Sequence, residues 1–413
     1  MAERNSRFGR MITRRRAALV RYRVLPWWAR VALIYGAARL VSTVIILAIA
    51  ARQGPNPWTG AHPSYLDFAT IWDGRWYFIV AMTGYPDQLP LTVDGHIGEN
   101  AWAFMPVYPF LVRGLMVVTT LSWPAVSVAV SVIAGLGAAL VFFKLMSRVL
   151  GDSQTAMFSV VLFSVAPVSA LFQLSYAESL YTFLLVVGLY LVVLRRYGWL
   201  VPLIAVMALT RPSGLAFALF LGLHVIVRLV ARRTDPFPWP ERIAVSLIAV
   251  FSAAMGLLWP AIAGLVTGDL TAYTDTELAW RSAYIGYQHL VPFAPWFQGA
   301  NWWMNSQSGF PTGGLVVVLL IAAFGLSLFI RPVRRLGVDL RLWVLSYGVY
   351  LLAVFFPQSS TFRLLMPMFP LLGAVAQPKS MVYRVSMVLV FVAAQTGWLL
   401  ICWGVDGADW TPP

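Results

Sequence analysis

Four charged residues raise the question of chemistry. Asp73 stands in IWDGRWYFIVAMTGYP (residues 71–86), and Asp67, Trp72, Arg75, Trp76 and Tyr77 lie within the same eleven residues. Glu178 lies in LSYAESLYTF, Arg211 in LTRPSG and Arg363 in STFRLLMP, each beside a long apolar run. A carboxylate can take a proton, and arginines can grip a phosphate through paired N–H donors. A charge at the centre of a bilayer costs roughly 2.5–3.5 kcal/mol on insertion scales, so such groups serve function or pair with each other. Each also has a plainer reading. Asp73, followed by apolar residues up to Gly84 and Pro86, is placed to cap a helix N-terminus. Glu178 and Arg211 suit a structural ion pair. Trp76 and Phe78 read as an interfacial belt, and Asp67 as a solvated loop acid.

Other signals are weaker. The DTE of Asp275–Glu277 and the DGH of Asp94–His96 offer two or three metal ligands, which falls short of a site. His289, in GYQHLVPFAPWF, reads first as a loop histidine. The sequence holds no phosphate-binding loop, zinc motif, nucleophile elbow or dinucleotide-binding glycine pattern.

The elements that must position these residues are membrane helices. The chain of 413 residues is 60% hydrophobic and 11% charged, with a mean hydropathy of +0.75. That balance excludes a soluble domain of this size and predicts a single all-α, polytopic integral membrane domain. Cys402 is the single cysteine, so an intramolecular disulfide and a multi-cysteine metal site are excluded. A net charge of +14 first suggests nucleic acid. The basic residues nevertheless cluster between apolar runs, the pattern of cytoplasmic loops facing anionic lipid headgroups, and no nucleic-acid partner is expected.

The N-terminal stretch RNSRFGRMITRRRAALVRYR carries eight arginines and no acid. It reads as a positive-inside anchor (residues 1–27) before a first span at Trp28–Ala51, ahead of a faint twin-arginine likeness. Later spans are expected at Trp123–Phe143, Thr155–Leu174, Ser179–Leu194, Ala244–Val266, Gly314–Ile330, Leu342–Phe356 and Val385–Trp403. Their basic connecting clusters are all cytoplasmic only if Phe104–Leu121 lies on the outer face without crossing. Trp199–Val227 is then a pair of short helices meeting at TRPSG, and Arg363–Ala376 a short return helix. About eleven crossings result, with the N-terminus inside and the C-terminus outside. This topology puts eleven of the sixteen acids outside, mostly in two loops, 52–122 and 267–313. The first should contain short juxtamembrane helices and carry the chemistry.

The segments WDGRWYFIVAMTGYP, FMPVYPFLVRGL, SYAESLYTFLL, LTRPSGL and FRLLMPMFPLL occur in the order seen in PIG-V-type mannosyltransferases. The chain resembles that family, of the glycosyltransferase-C superfamily, over roughly Leu66 to Leu372. The resemblance implies mannosyl transfer, with inversion, from a polyprenyl-phosphate donor to a lipid-linked or envelope glycan on the outer face of the plasma membrane. For a bacterial member a phosphatidylinositol mannoside or lipoglycan acceptor is implied. Asp73 is then the expected general base, and Arg363 and Arg211 the ligands of the donor phosphate. Glu178, Arg75, Asp67 and His289 would orient substrate, while Tyr77, Tyr108 and Tyr176 line the sugar site. One base suffices because phosphate is a good leaving group whose developing charge arginine can stabilise. No cofactor is needed, and a divalent metal is permitted but not required. The rival class is a transporter or flippase using Glu178, Arg211 and Arg363 as its path, against which no internal repeat is visible. A non-catalytic envelope-assembly partner is a third reading.

Overall fold

The structure is a computed structural model and describes residues 24–308, 312–404 and 412–413. Most of the basic N-terminal anchor, with Asp406 and Asp409, lies outside the described residues. In chain order the main helices are α1 (Trp27–Ala50), α2 (Asp73–Thr83), α3 (Val107–Thr119), α4 (Trp123–Leu150), α5 (Ser153–Val165), α6 (Glu178–Val193) and α7 (Leu200–Ala208). They continue with α8 (Gly214–Val230), α9 (Trp239–Thr267), α10 (Ala272–Ala279), α11 (Ala294–Ser308), α12 (Gly313–Ser327), α13 (Gly337–Val354) and α14 (Met381–Trp403).

Five of these, α1, α4, α9, α13 and α14, are long and apolar enough to cross a membrane. The other expected crossings fall on shorter or broken elements. Trp199–Val227 is indeed a pair, α7 and α8, separated at the TRPSG segment. The expected Thr155–Leu174 span instead stops at Val165, because Pro167 cannot donate to the helix ladder, and resumes as a 3-10 turn at Ser169–Gln173. Arg363–Ala376 is likewise not one return helix. Pro367 and Pro370 divide it among Thr361–Leu364, Met366–Met368 and Leu371–Val375.

Broken backbone buried among helices needs internal partners, and here α1 and α14 supply them. The buried Arg39 of α1 donates from Nη1 to the Ser169 carbonyl and from Nη2 to the Ser164 carbonyl at 2.6 Å. Gln395 of α14 donates to the Ala166 carbonyl at 3.1 Å and to Ser169 Oγ at 2.6 Å. Ser42 of α1 donates to Gln395 Oε1 at 2.8 Å and completes the set. Arg39 is therefore explained as a cap for the α5 break.

Around this polar seam α4 packs on α5 and α6, and α8 on α9 and α13. The α8–α9 crossing is close: a Cβ added at Gly256 would sit 2.7 Å from the Leu215 backbone nitrogen. Gly256→Ala is expected to destabilise the protein by about 1–3 kcal/mol through overpacking. The check is a lower midpoint in thermal unfolding of the purified protein, with Gly222→Ala, where no atom lies within 4 Å, as control.

The segment between α1 and α4 folds onto the helical body. Trp76 stacks on Phe104 (centroids 5.4 Å apart) and meets Trp280 edge-on at 5.6 Å. Phe78 meets Trp123 at 5.7 Å. These rings join α2 to the Ala101–Ala103 turn, α4 and the end of α10.

Candidate functional site

Asp73 is the first residue of α2 and not its cap. The capping position falls to Trp72, whose side chain makes no capping bond. Asp73 turns its carboxylate to Arg363 instead. Trp72 has φ 60 and ψ −126, a backbone region costly for a bulky residue that persists only where surroundings enforce it. Its indole N–H donates to the Cys402 carbonyl at 2.8 Å, tying the start of α2 to the end of α14. On the other side Gly74 lets the chain approach Ser175: a Cβ there would lie 3.1 Å from Ser175 Cβ and 3.2 Å from its carbonyl oxygen. The Ser175 N–H donates to the Ala69 carbonyl at 2.9 Å. These contacts bring the SYAE segment alongside Asp73, whose backbone N–H donates to Tyr176 Oη at 3.4 Å.

Four segments distant in sequence thereby place their charges together. Arg363 Nη1 pairs with Asp73 Oδ2 and lies 3.4 Å from Glu178 Oε1. Arg211 Nη1 is 3.3 Å from the same Glu178 oxygen. Glu178, the first residue of α6, thus bridges two arginines, and its side chain is 5% exposed. The Arg363 guanidinium also lies over the Tyr176 ring, 5.5 Å from its centroid. Burial pushes the Asp73 carboxyl above its usual range; Arg363 and Arg211 oppose that shift, and Glu178 adds to it.

All four charges line a cavity of about 510 Å³. Its remaining wall includes Tyr181, Ser213, Tyr273, Glu277, Arg281, Tyr347 and Tyr350, with apolar Leu215, Leu257, Pro260, Leu290, Val354 and Phe356. Tyr77, which is buried, neighbours Arg211 from α2. Tyr108, also buried, donates to the Ser127 carbonyl at 3.1 Å and packs against Tyr77. It does not line the cavity. Asp67 and Arg75 are on a separate hollow of about 440 Å³ with Trp58 and His62, and Asp67 accepts from Ser64 Oγ at 2.6 Å. His289 is exposed and lines neither hollow.

Sequence reasoning missed part of the cavity wall. Glu277 and Tyr273, four apart on α10, face the cavity together. The DTE motif drew attention to Glu277 for metal binding, yet among the described residues no group of three or more His, Cys, Asp or Glu is placed to hold an ion. The protein around Glu277 pushes its carboxyl up to about 7 through desolvation, with Tyr273 and Arg211 pulling the other way. The Glu277 side chain is itself exposed, and solvent screening weakens a shift of this kind. The helical spacing Tyr273-x-x-x-Glu277 was a readable signal of one shared face.

No family model matches the chain, and a comparison with curated proteins finds no match. Among solved structures the chain is similar to the oligosaccharyltransferase of Archaeoglobus fulgidus in complex with zinc and sulfate. That pair shares 14% identity at a TM-score of 0.48, over 91% of this chain and 53% of the other. It is also similar to the archaeal oligosaccharyltransferase AglB from Archaeoglobus fulgidus in complex with an inhibitory peptide and a dolichol-phosphate (13% identity, TM-score 0.44, 94% and 57% covered). The apo form of the Archaeoglobus fulgidus enzyme gives 14% identity, a TM-score of 0.44, and 93% and 56% covered. The chain spans little more than half the length of these structures, and at such scores the likeness assigns it neither an activity nor a residue.

Proposed function

We propose that this chain is a membrane glycosyltransferase that moves a mannosyl residue from a polyprenyl-phosphate donor to a lipid-linked or envelope glycan on the outer face. The observation that supports this reading is the convergence of Asp73, Glu178, Arg211 and Arg363 on one cavity with an apolar wall. The family resemblance of the five ordered motifs supports the mannosyl donor.

In this reading the donor phosphate binds to Arg363 and Arg211, whose planar forks match its oxygens. Arg363 is shared with Asp73 and Glu178, so the phosphate competes for its N–H groups and releases Asp73 Oδ2. The freed carboxylate takes the proton of the acceptor hydroxyl as that oxygen attacks the anomeric carbon. The anomeric carbon–oxygen bond to phosphate breaks, its electron pair leaves with the phosphate, and configuration inverts. The arginines stabilise the charge that develops there. Glu178 holds both guanidinium groups in place between turnovers. Tyr77 and Tyr176, buried beside the charged cluster and not part of the cavity lining, support its charges from behind. Asp67, Arg75 and His289 take part only if the substrate extends beyond the cavity.

The reading is tested with purified protein in lipid nanodiscs, supplied with radiolabelled polyprenyl-phosphate mannose and a membrane lipid extract. Labelled glycolipid is the expected product, and its absence together with directional transport of the donor would favour the transporter class. Lipid and glycan profiling of a deletion strain then names the acceptor. Arg363→Ala is expected to raise the apparent donor Kd about 10- to 100-fold, the worth of a charge-assisted hydrogen bond of roughly 1.5–3 kcal/mol. An unchanged donor affinity would remove Arg363 from the phosphate site.

A further inference from the structure

The cavity contains a third arginine that stands apart from the charged cluster. Arg211 and Arg363 are each compensated by a carboxylate. Arg281 is 4% exposed, lines the same cavity, and has no carboxylate within ion-pair distance among the described residues. Nη2 donates to the Gln288 carbonyl at 3.3 Å, and Nε is buried without a partner. Burial lowers the affinity of this guanidinium for its proton, and no neighbouring charge offsets the effect.

A buried, uncompensated cation is costly, and an anion that enters beside it recovers much of that cost. The side chain is also held ready. Arg281 sits at the break between α10 and the turn Ser282–Ile285. Asn100 Nδ2 donates to Thr276 Oγ1 at 2.8 Å and fixes α10 to the segment before α3. Trp280, next in the chain, packs edge-on against Trp76 and Phe104. Rigid anchoring, burial and the lack of a compensating carboxylate together describe a binding residue more than a solvated loop arginine.

We infer that Arg281 is a second phosphate-binding residue of this cavity, separate from the Arg211–Arg363 pair. The inference rests on the glycosyltransferase reading only for what brings the phosphate. Two sources share this chemistry: the headgroup phosphate of an anionic acceptor lipid, or the second phosphate of a donor that carries a diphosphate in place of the single phosphate proposed above.

The test measures binding without turnover. Full-length protein in nanodiscs is titrated, by tryptophan fluorescence, with a short-chain prenyl monophosphate, the matching prenyl diphosphate, and glycerophosphoglycerol as a soluble lipid headgroup. Arg281→Gln is expected to weaken one class of probe by roughly tenfold or more, the loss of a hydrogen bond to a charged group. Loss confined to the diphosphate assigns the donor's second phosphate. Loss confined to glycerophosphoglycerol assigns the acceptor headgroup. Unchanged binding of all three probes, or an equal loss for all three including the monophosphate, overturns the inference. If Arg281→Gln does not fold, Arg281→Lys keeps the charge and loses the fork, and the same selective pattern is expected at smaller size. Because no sugar is transferred, a failure of the glycosyltransferase reading leaves these results interpretable.

Discussion

Asp73→Asn is expected to leave the protein folded and to lower turnover about 10²- to 10⁴-fold, the range for a positioned general base. Folding survives because Asn keeps the shape of the side chain and Arg363 still has Glu178 at 3.4 Å. Donor binding should be retained or tighten, since Arg363 loses a competitor for its N–H groups. The experiment compares wild-type and Asp73→Asn membranes, matched for protein, with radiolabelled polyprenyl-phosphate mannose. Full turnover in the variant would dismiss Asp73 as base. A second readout is the pH profile. A base must be deprotonated to act, so the rate falls as pH drops through its pKa. Burial raises that pKa above the usual carboxylate range, so the acidic limb of the wild-type profile should lie above that range and disappear in Asp73→Asn.

On the proposed reading, the pairing of Asp73 with Arg363 sets an order of binding. While Arg363 holds Oδ2, that cation works against the burial that raises the carboxyl, so the carboxylate is less basic than it would be without Arg363. Phosphate entering first draws the guanidinium away and makes the carboxylate more basic at the moment the sugar is in place. An acceptor hydroxyl arriving alone meets an occupied base.

The charges that meet in this cavity were legible one by one because a charge beside an apolar run is rare enough to stand out. Glu178 and Arg211 were readable as a pair, and the structure adds Arg363 to the same carboxylate. What could not be read was which loop acids share that place. Asp67 is six residues from Asp73, yet the turn before α2 sends it to another hollow. Glu277 is some two hundred residues away in sequence and lines the cavity. The five long helices follow from unbroken apolar runs. The short ones depend on partners outside their own segment. The break after α5 is legible at Pro167, but its satisfaction by Arg39 and Gln395, from the first and last long helices, is a tertiary fact. Tyr108 illustrates the same limit, because a buried hydroxyl bonded to Ser127 and one facing a sugar look alike in sequence.

Glu178→Gln should expose how the two arginines depend on one carboxylate. Removing one partner of a buried ion pair costs about 3–5 kcal/mol, because the other charge is left uncompensated. Here Glu178 is the carboxylate that pairs with Arg211 among the described residues, while Arg363 keeps Asp73. Both Glu178 oxygens lack a hydrogen bond of their own, so they are held by charge, which Gln cannot replace. The unfolding midpoint of the ligand-free variant should therefore fall well below that of the wild type. A short-chain prenyl phosphate should then restore it by more than it stabilises the wild type, because the phosphate takes the place of the missing negative charge and binding to the folded state adds stability. Turnover should nonetheless stay low, since Arg211 and Arg363 lose the bridge that sets their spacing. A variant as stable as wild type, with the same response to prenyl phosphate, would show that Glu178 does not hold the arginines and that the cavity is not organised around a phosphate.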